Sequence, residues 1–179
     1  MPVNIVAFLQ NQWFKNPERV EQTYAAWTAA GRTREQLDGY LLFRGCLTGR
    51  RLRKAFNEDL CDRIIWANAS PKVGGESSSV FPADPAHMAD VVARHQPWIV
   101  LAFGRIAQAG VKALAVPWIT PGDVAKRAPL GPSTPVLIDG PHPAARHSTV
   151  QKELNEMGEF VRCVLLCEAG RRMAGGALP

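Results

Sequence analysis

The stretch Val136-Leu-Ile-Asp-Gly-Pro-His-Pro-Ala-Ala-Arg146 decides how the rest of the chain is read. Val136–Ile138 is apolar and reads as a short buried strand, which Gly140 and Pro141 end. Pro141 and Pro143 hold the backbone on either side of His142 extended, so the imidazole leaves the strand end on a stiff stalk. Open α/β sheets bind their ligands at the carboxyl ends of the strands, which makes His142 the first candidate site residue. His-Pro is a common dipeptide, and a core histidine bonded to backbone is the competing reading.

Outward from this strand, helical and strand patterns alternate. Val3–Leu9 reads as a first strand, and Pro17 opens a helix to about Ala30 that Gly31 stops. Thr33–Tyr40 is a shorter helix, and Thr48–Phe56 a basic helix after Gly45. Arg63–Ala67 is a second strand ending at Asn68, followed by a Gly, Ser and Pro-rich loop over 70–83. Asp84 caps a helix that has Pro85 at its first position and runs to His95. Pro97–Phe103 is a third strand, and Gly104 turns directly into a helix to Leu114. A Pro-rich connection over 117–135 leads to the fourth strand. His147–Cys167 closes the chain as a long helix with Val150, Leu154, Met157, Val161, Val164 and Leu165 inward. This alternation predicts an α/β fold with a mainly parallel sheet, in one domain spanning 1–179 whose last residues, about 169–179, form a flexible tail.

A chain of 179 residues buries a sizeable core without staples, and 46% hydrophobic with 21% charged residues is ordinary for a globular protein. No apolar run approaches the roughly 20 residues that span a bilayer. The amino terminus shows neither a basic region nor a small-residue cleavage site. The expected location is therefore the cytoplasm, at the nucleoid or in a phage-infected host. The four cysteines, Cys46, Cys61, Cys163 and Cys167, form no CxxC pair and read as buried free thiols rather than metal ligands. Net charge is +5, and Arg44, Arg50, Arg51, Arg53 and Lys54 fall within eleven residues. Beside a glycine-bounded turn this cluster suits phosphate, with a solvated face as the alternative.

In a parallel sheet all carboxyl ends share one edge. Here they deliver Gln10, Asn11 and Gln12, then Asn68 and Lys72, then Gly104 and Arg105, then His142 and Arg146. The edge collects amides, an imidazole, aromatics and cations. The one carboxylate close by is Asp139, before the Gly140 turn.

This set resembles the uracil-DNA glycosylase superfamily. Phe43-Arg-Gly-Cys-Leu-Thr-Gly-Arg-Arg-Leu52 is similar to its Phe-x-Gly-x-x-Gly-x-x-Leu segment with one residue inserted, and Trp66-Ala-Asn-Ala-Ser-Pro-Lys72 to its Thr-Asn-x-x-Lys stretch. Pro97-Trp-Ile-Val-Leu-Ala-Phe-Gly-Arg-Ile-Ala107 resembles Pro-x-x-Ile-Val-x-x-Gly-x-x-Ala, and His142-Pro143-Ala144 resembles His-Pro-Ser. The likeness runs from about residue 3 to 167. It implies a three-layer α/β/α sandwich around a central parallel four-stranded sheet.

It also implies roles. Asn11 would position the attacking water, with Gln10 and Gln12 beside the base. Phe43 would stack on the extruded base, Asn68 would read the uracil edge, and His142 would stabilise charge on O2 as the base departs. Arg44, Arg50, Arg51, Lys72, Arg105 and Arg146 would contact DNA, Arg146 from the loop where the family inserts a wedge. No metal or organic cofactor is implied, and the cysteine spacing does not match the iron–sulfur members. The partner is DNA, single- or double-stranded, and the protein a monomer without membrane contact.

Departures from the family pattern are concentrated in the first motif. Leu9-Gln10-Asn11-Gln12-Trp13 lacks the family's Gly-x-x-Pro-Gly or Gly-Gln-Asp-Pro-Tyr form and its Asp. Trp13 and Phe14 stand where small residues are usual, and Glu76 is one source for a missing carboxylate. Local readings compete as well: Asn11 as a turn cap, Asn68 as a strand-end turn residue, Phe43 as core. The functional expectation is a monofunctional glycosylase that removes uracil or a related deaminated or modified base flipped out of DNA. The alternatives are a non-catalytic DNA-binding member of the same fold and an enzyme acting on free nucleosides or nucleotides. The arginine cluster argues against the last of these.

Overall fold

A computed structural model describes residues 3–10, 16–44, 46–75, 80–126 and 131–175, with backbone alone for 17 and 169–175. Four strands, β1 (Ile5–Leu9), β2 (Ile64–Asn68), β3 (Ile99–Phe103) and β4 (Val136–Gly140), form one all-parallel sheet in the order β2-β1-β3-β4. The helices are α1 (Pro17–Ala29), α2 (Arg34–Leu42), α3 (Leu47–Phe56), α4 (Glu58–Arg63), α5 (Pro85–His95), α6 (Gly104–Lys112), α7 (Pro121–Ala125) and α8 (Val150–Gly175).

The sheet is covered on both faces. One core joins Ile5, Ala7, Leu9, Ile64, Trp66, Leu101 and Phe103 to side chains of α3, α4 and α8. The other joins Val6, Phe8, Val100 and Ala102 to Met88 and Val91 of α5 and to Ala107 and Val111 of α6. This makes a three-layer α/β/α sandwich, and it explains why β1 and β3 are apolar at every position. β4 lies at the sheet edge, and there the alternation returns: Val136 and Ile138 are buried while Asp139 is exposed and pairs with Lys112 of α6.

The sequence boundaries hold to within a few residues, with two additions. α4 follows α3 after a single residue, Asn57, whose positive φ of 58° breaks the helix and whose side chain caps the next one. α7 lies in the Pro-rich connection, opened by a capping box between Thr120 and Asp123. The closing helix departs further: α8 begins at Val150 rather than His147 and continues to Gly175, eight residues past the expected Cys167 and into the stretch read as a tail. Cys61 is buried as expected, but Cys46, Cys163 and Cys167 are exposed. The last two fall on the outer face of α8, opposite the stripe of Val150, Leu154, Val161 and Val164.

α8 packs closely on α3 because Gly158 lets the two backbones meet. A Cβ there would lie 2.2 Å from the carbonyl oxygen of Ala55, which also accepts a hydrogen bond from Arg162 at 3.2 Å. In a free helix Gly→Ala stabilises by about 1 kcal/mol. Here Gly158→Ala is expected to destabilise by about 1–3 kcal/mol through overpacking. Thermal unfolding would then show a fall in Tm of roughly 2–10 °C, and an unchanged or raised Tm contradicts the close approach.

Candidate functional site

β1 is first in the chain but second in the sheet, so the chain moves from it to β2 on one side and to β3 and β4 on the other. The reversal puts a topological switch point between the carboxyl ends of β1 and β3, where loops diverge and leave a crevice. The rim residues in sheet order are Asn68, Gln10, Gly104 and, from the loop after β4, His142.

His142 is the best-defined group on this rim. Gly104 has φ +83°, which favours glycine, and a Cβ added to it would sit 3.0 Å from the His142 Cβ. The missing side chain therefore lets the β4 loop lean over the end of β3. Three further contacts hold that loop. Nη1 of Arg51 donates to the carbonyls of Pro143 and Ala145, both at 2.7 Å, and Nε2 of Gln108 donates to that of Gly140 at 2.8 Å. Gly140 is buried against Met157 of α8, where a Cβ would lie 2.2 Å from the sulfur.

Within the loop, the Ala144 N–H donates to Nδ1 of His142 at 3.2 Å. An acceptor at Nδ1 leaves the proton of the neutral ring on Nε2, which is then a hydrogen-bond donor. Burial lowers the imidazole pKa from its ordinary value, so the ring is neutral at pH 7. Next to it the first turn of α6 opens without a side-chain cap, its N-cap being Phe103. Its N–H groups add positive potential to the same rim.

Asn68 ends β2 and is buried, opposite Leu9 in register. Pairing continues past the strand ends, with Ala69 N–H donating to Leu9 O at 2.6 Å and Ser70 N–H to Gln10 O at 3.2 Å. The Asn68 carbonyl accepts from Nε2 of His87 at 3.1 Å. On α2 nearby, the buried Asp38 carboxyl accepts from the Tyr24 hydroxyl. Arg34 stacks its guanidinium 3.9 Å from the Tyr24 ring centroid and donates to the Pro71 carbonyl. His142 leans one strand inward, so the gap from the β2 end to the β3 end is two strand spacings, about 10 Å. A six-membered ring with a hydrogen bond of about 2.9 Å on each side spans a similar distance.

The remaining candidates divide. Asn11 and Gln12 lie outside the described residues, as do Trp13, Phe14 and Glu76. Phe43, the C-cap of α2, meets Trp66 edge-on at 5.4 Å and carries the Arg53 guanidinium 5.0 Å from its ring centroid. With Tyr40, Arg44 and Trp66 it lines a cavity of about 590 Å³ between α2 and the edge strand β2. The structure therefore groups Phe43 and Arg44 with that flank cavity, and a base stacked on the covered face would displace Arg53. Arg44, Arg50, Lys72, Arg105 and Arg146 are exposed. Arg51 is half-buried and spent on the His142 loop, so it is a structural clamp where the sequence suggested a phosphate contact.

The clamp role of Arg51 and the whole of Asp38 escaped the sequence reading. Arg51 is hidden among other arginines. Asp38 had a signal: it stands four residues before Leu42, on the buried face of α2. No helix among the described residues is long and apolar enough to cross a membrane. Comparison of the chain with protein-family models, with curated proteins and with solved structures finds no match.

Burial, opposed chiefly by the hydrogen bond from the Tyr24 hydroxyl and by the nearby Arg34, pushes the Asp38 carboxyl up to about 7. Between about pH 4 and pH 7 the folded protein therefore keeps a proton that the unfolded chain has released. This group's contribution to stability falls as pH rises through that window and is lowest above it. Asp38→Asn removes the effect. The Tm of the variant relative to wild type is expected to climb from pH 4.5 to pH 8, and a difference constant with pH contradicts it.

Proposed function

We propose that the protein is a monofunctional DNA glycosylase that hydrolyses the N-glycosidic bond of uracil or a related deaminated or modified base flipped out of DNA. One observation carries the reading most: a neutral imidazole at the switch point, clamped through its own loop, with its proton placed on Nε2. Cleaving the bond to a pyrimidine leaves negative charge on the base. A preorganised donor aimed at that charge is often the largest catalytic contribution. Nε2–H of His142 is such a donor, and the uncapped first turn of α6 adds to the field.

The other parts have physical reasons too. A base inside the stack is out of reach, so it must be extruded at a cost of a few kcal/mol. Exposed Arg50, Lys72, Arg105 and Arg146 and the net charge of +5 favour a polyanion. Arg146, the residue after the clamped Ala145, is suited to enter the space the base vacates. Asn68 supplies an amide able to accept from N3–H and donate to O4 of uracil. Asn11 is assigned to the attacking water on its sequence position alone. No resident metal or organic cofactor enters this scheme.

The test uses labelled oligonucleotides, single- and double-stranded, carrying uracil, hydroxymethyluracil, hypoxanthine or xanthine, followed by hot alkali to break abasic sites. Scission at the modified base is expected, and His142→Ala should lower its rate by about 10²–10³-fold. Salt-dependent binding that leaves every sugar intact would replace the enzyme by the non-catalytic DNA-binding reading. Arg51→Met keeps the bulk of the side chain but frees the loop. It is expected to lower kcat by about tenfold or more while KM changes little, because a misplacement near 1 Å costs up to about 10²-fold. A loss confined to KM would mark Arg51 as a phosphate ligand instead.

A further inference from the structure

The cavity between α2 and the edge strand β2 takes no part in the chemistry above. It encloses about 590 Å³ and is lined chiefly by α2, α4 and β2, with neither Asn68 nor His142 among its lining residues. One wall is aromatic. Phe43 meets the buried Trp66 edge-on at 5.4 Å, and Tyr40, three residues before Phe43, is 49% exposed. Gly39 puts no side chain over the indole, since even a Cβ there would touch its Cδ1 at 3.4 Å. A volume of this size, walled by aromatic rings with a few polar groups, has the dimensions and lining of a small-molecule site.

Two cations line the same cavity from its solvent side. Arg44 carries its guanidinium 5.3 Å from the Tyr40 ring centroid and Arg53 carries its own 5.0 Å from that of Phe43, and both side chains are exposed. Neither makes an ion pair among the described residues. Of the two lining carboxylates, Glu35 is bonded to Arg94 at 3.0 Å and Asp62 is exposed. A guanidinium lying over a ring keeps its in-plane N–H fork free for a phosphate or a carboxylate. His95 of α5 also lines the cavity, and its buried Nε2 lies 3.8 Å from Glu35 without a hydrogen bond. Buried polar groups are rarely left so, and a polar atom of a ligand would supply the partner.

We infer that this cavity binds a planar aromatic anion of nucleotide size, its ring against Tyr40, Phe43 and Trp66 and its phosphate or carboxylate held by Arg44 and Arg53. It is a second site, and it goes beyond the glycosylase reading because no rim residue contributes to it. The aromatic wall supplies contact area to any flat ring, whatever its substituents. The two guanidiniums then select the rings that carry a negative group. An uncharged ring forgoes the charge-assisted hydrogen bonds, and a bare anion forgoes the ring contact.

Calorimetric titration of the whole chain with deoxyadenosine 5′-monophosphate tests this, alongside deoxyadenosine, inorganic phosphate and naphthoate. The monophosphate should saturate the protein, while deoxyadenosine and phosphate should each bind at least about tenfold more weakly. Naphthoate binding more tightly than the monophosphate assigns a carboxylate ligand and weaker binding a phosphate ligand, and either supports the site. Arg44→Met and Arg53→Met alter exposed side chains, and each should weaken the monophosphate by about tenfold or more, whereas His142→Ala should leave its Kd unchanged. Backbone amide shifts on binding should centre on Gly39 and Ile65, which line the cavity, and not on Gly104 at the rim. Failure of every anion to saturate up to about 10 mM overturns the inference. So does deoxyadenosine binding as tightly as its monophosphate. Loss of binding in H142A with R44M and R53M unaffected also overturns it, because the nucleotide then sits at the rim. Should oligonucleotide scission fail while this binding holds, the glycosylase reading falls and the second site stands.

Discussion

One arginine ties the working edge of the sheet to its helical cover. Arg51 reaches from the second turn of α3 to two carbonyls of the loop after β4, while Gln151 of α8 donates to the Arg51 carbonyl at 3.3 Å. α3, α8 and the His142 loop are thereby joined through a single residue. The loop itself has no regular secondary structure, and its carbonyls would otherwise depend on water. Hydrogen bonds with a charged donor are about twice as strong as neutral ones, and here two of them act on adjacent turns of backbone.

The consequence is a histidine whose position is over-determined. Pro141 and Pro143 limit the backbone on either side of it, Gly104 leaves room for its Cβ, and the Ala144 N–H selects its tautomer. None of these contacts involves the Nε2 edge. Rigidity of this kind is what a preorganised donor requires, since no reorganisation is then needed when charge develops. Across the switch point Asn68 is buried at the end of β2, its carbonyl bonded to His87 of α5. The two halves of the rim are thus built independently on opposite sides of β1 and β3.

Much of this was legible in the sequence, for identifiable reasons. Continuous apolar runs marked β1 and β3 because both their faces are covered, and Gly104 after Phe103 marked the sharp strand-to-helix turn. Proline and glycine around His142 announced a fixed loop. α4 was not visible because six residues are too few for helical periodicity, and only the Asn57 cap and the acidic first turn signal it. α7 was masked by the prolines around it, although Thr120 and Asp123 formed a readable box. Cys163 and Cys167 were misjudged by residue type. Two and six residues after Val161, they sit roughly 200° and 240° round the helix from the inward stripe. Arg51 and Asp38 could not be assigned from sequence, since their partners lie 92 and 14 residues away (Pro143 and Tyr24), on other elements that meet them only in the folded chain.

The state of one ring is decisive, and nitrogen NMR of ¹⁵N-histidine-labelled protein reads it directly. At pH 7 the His142 imidazole should be neutral, with Nδ1 unprotonated and the proton on Nε2. Adding an oligonucleotide with a non-cleavable 2′-fluoro deoxyuridine should then shift that Nε2 proton into a strong hydrogen bond. A proton on Nδ1, an imidazolium at neutral pH, or an Nε2 resonance indifferent to the oligonucleotide would contradict it.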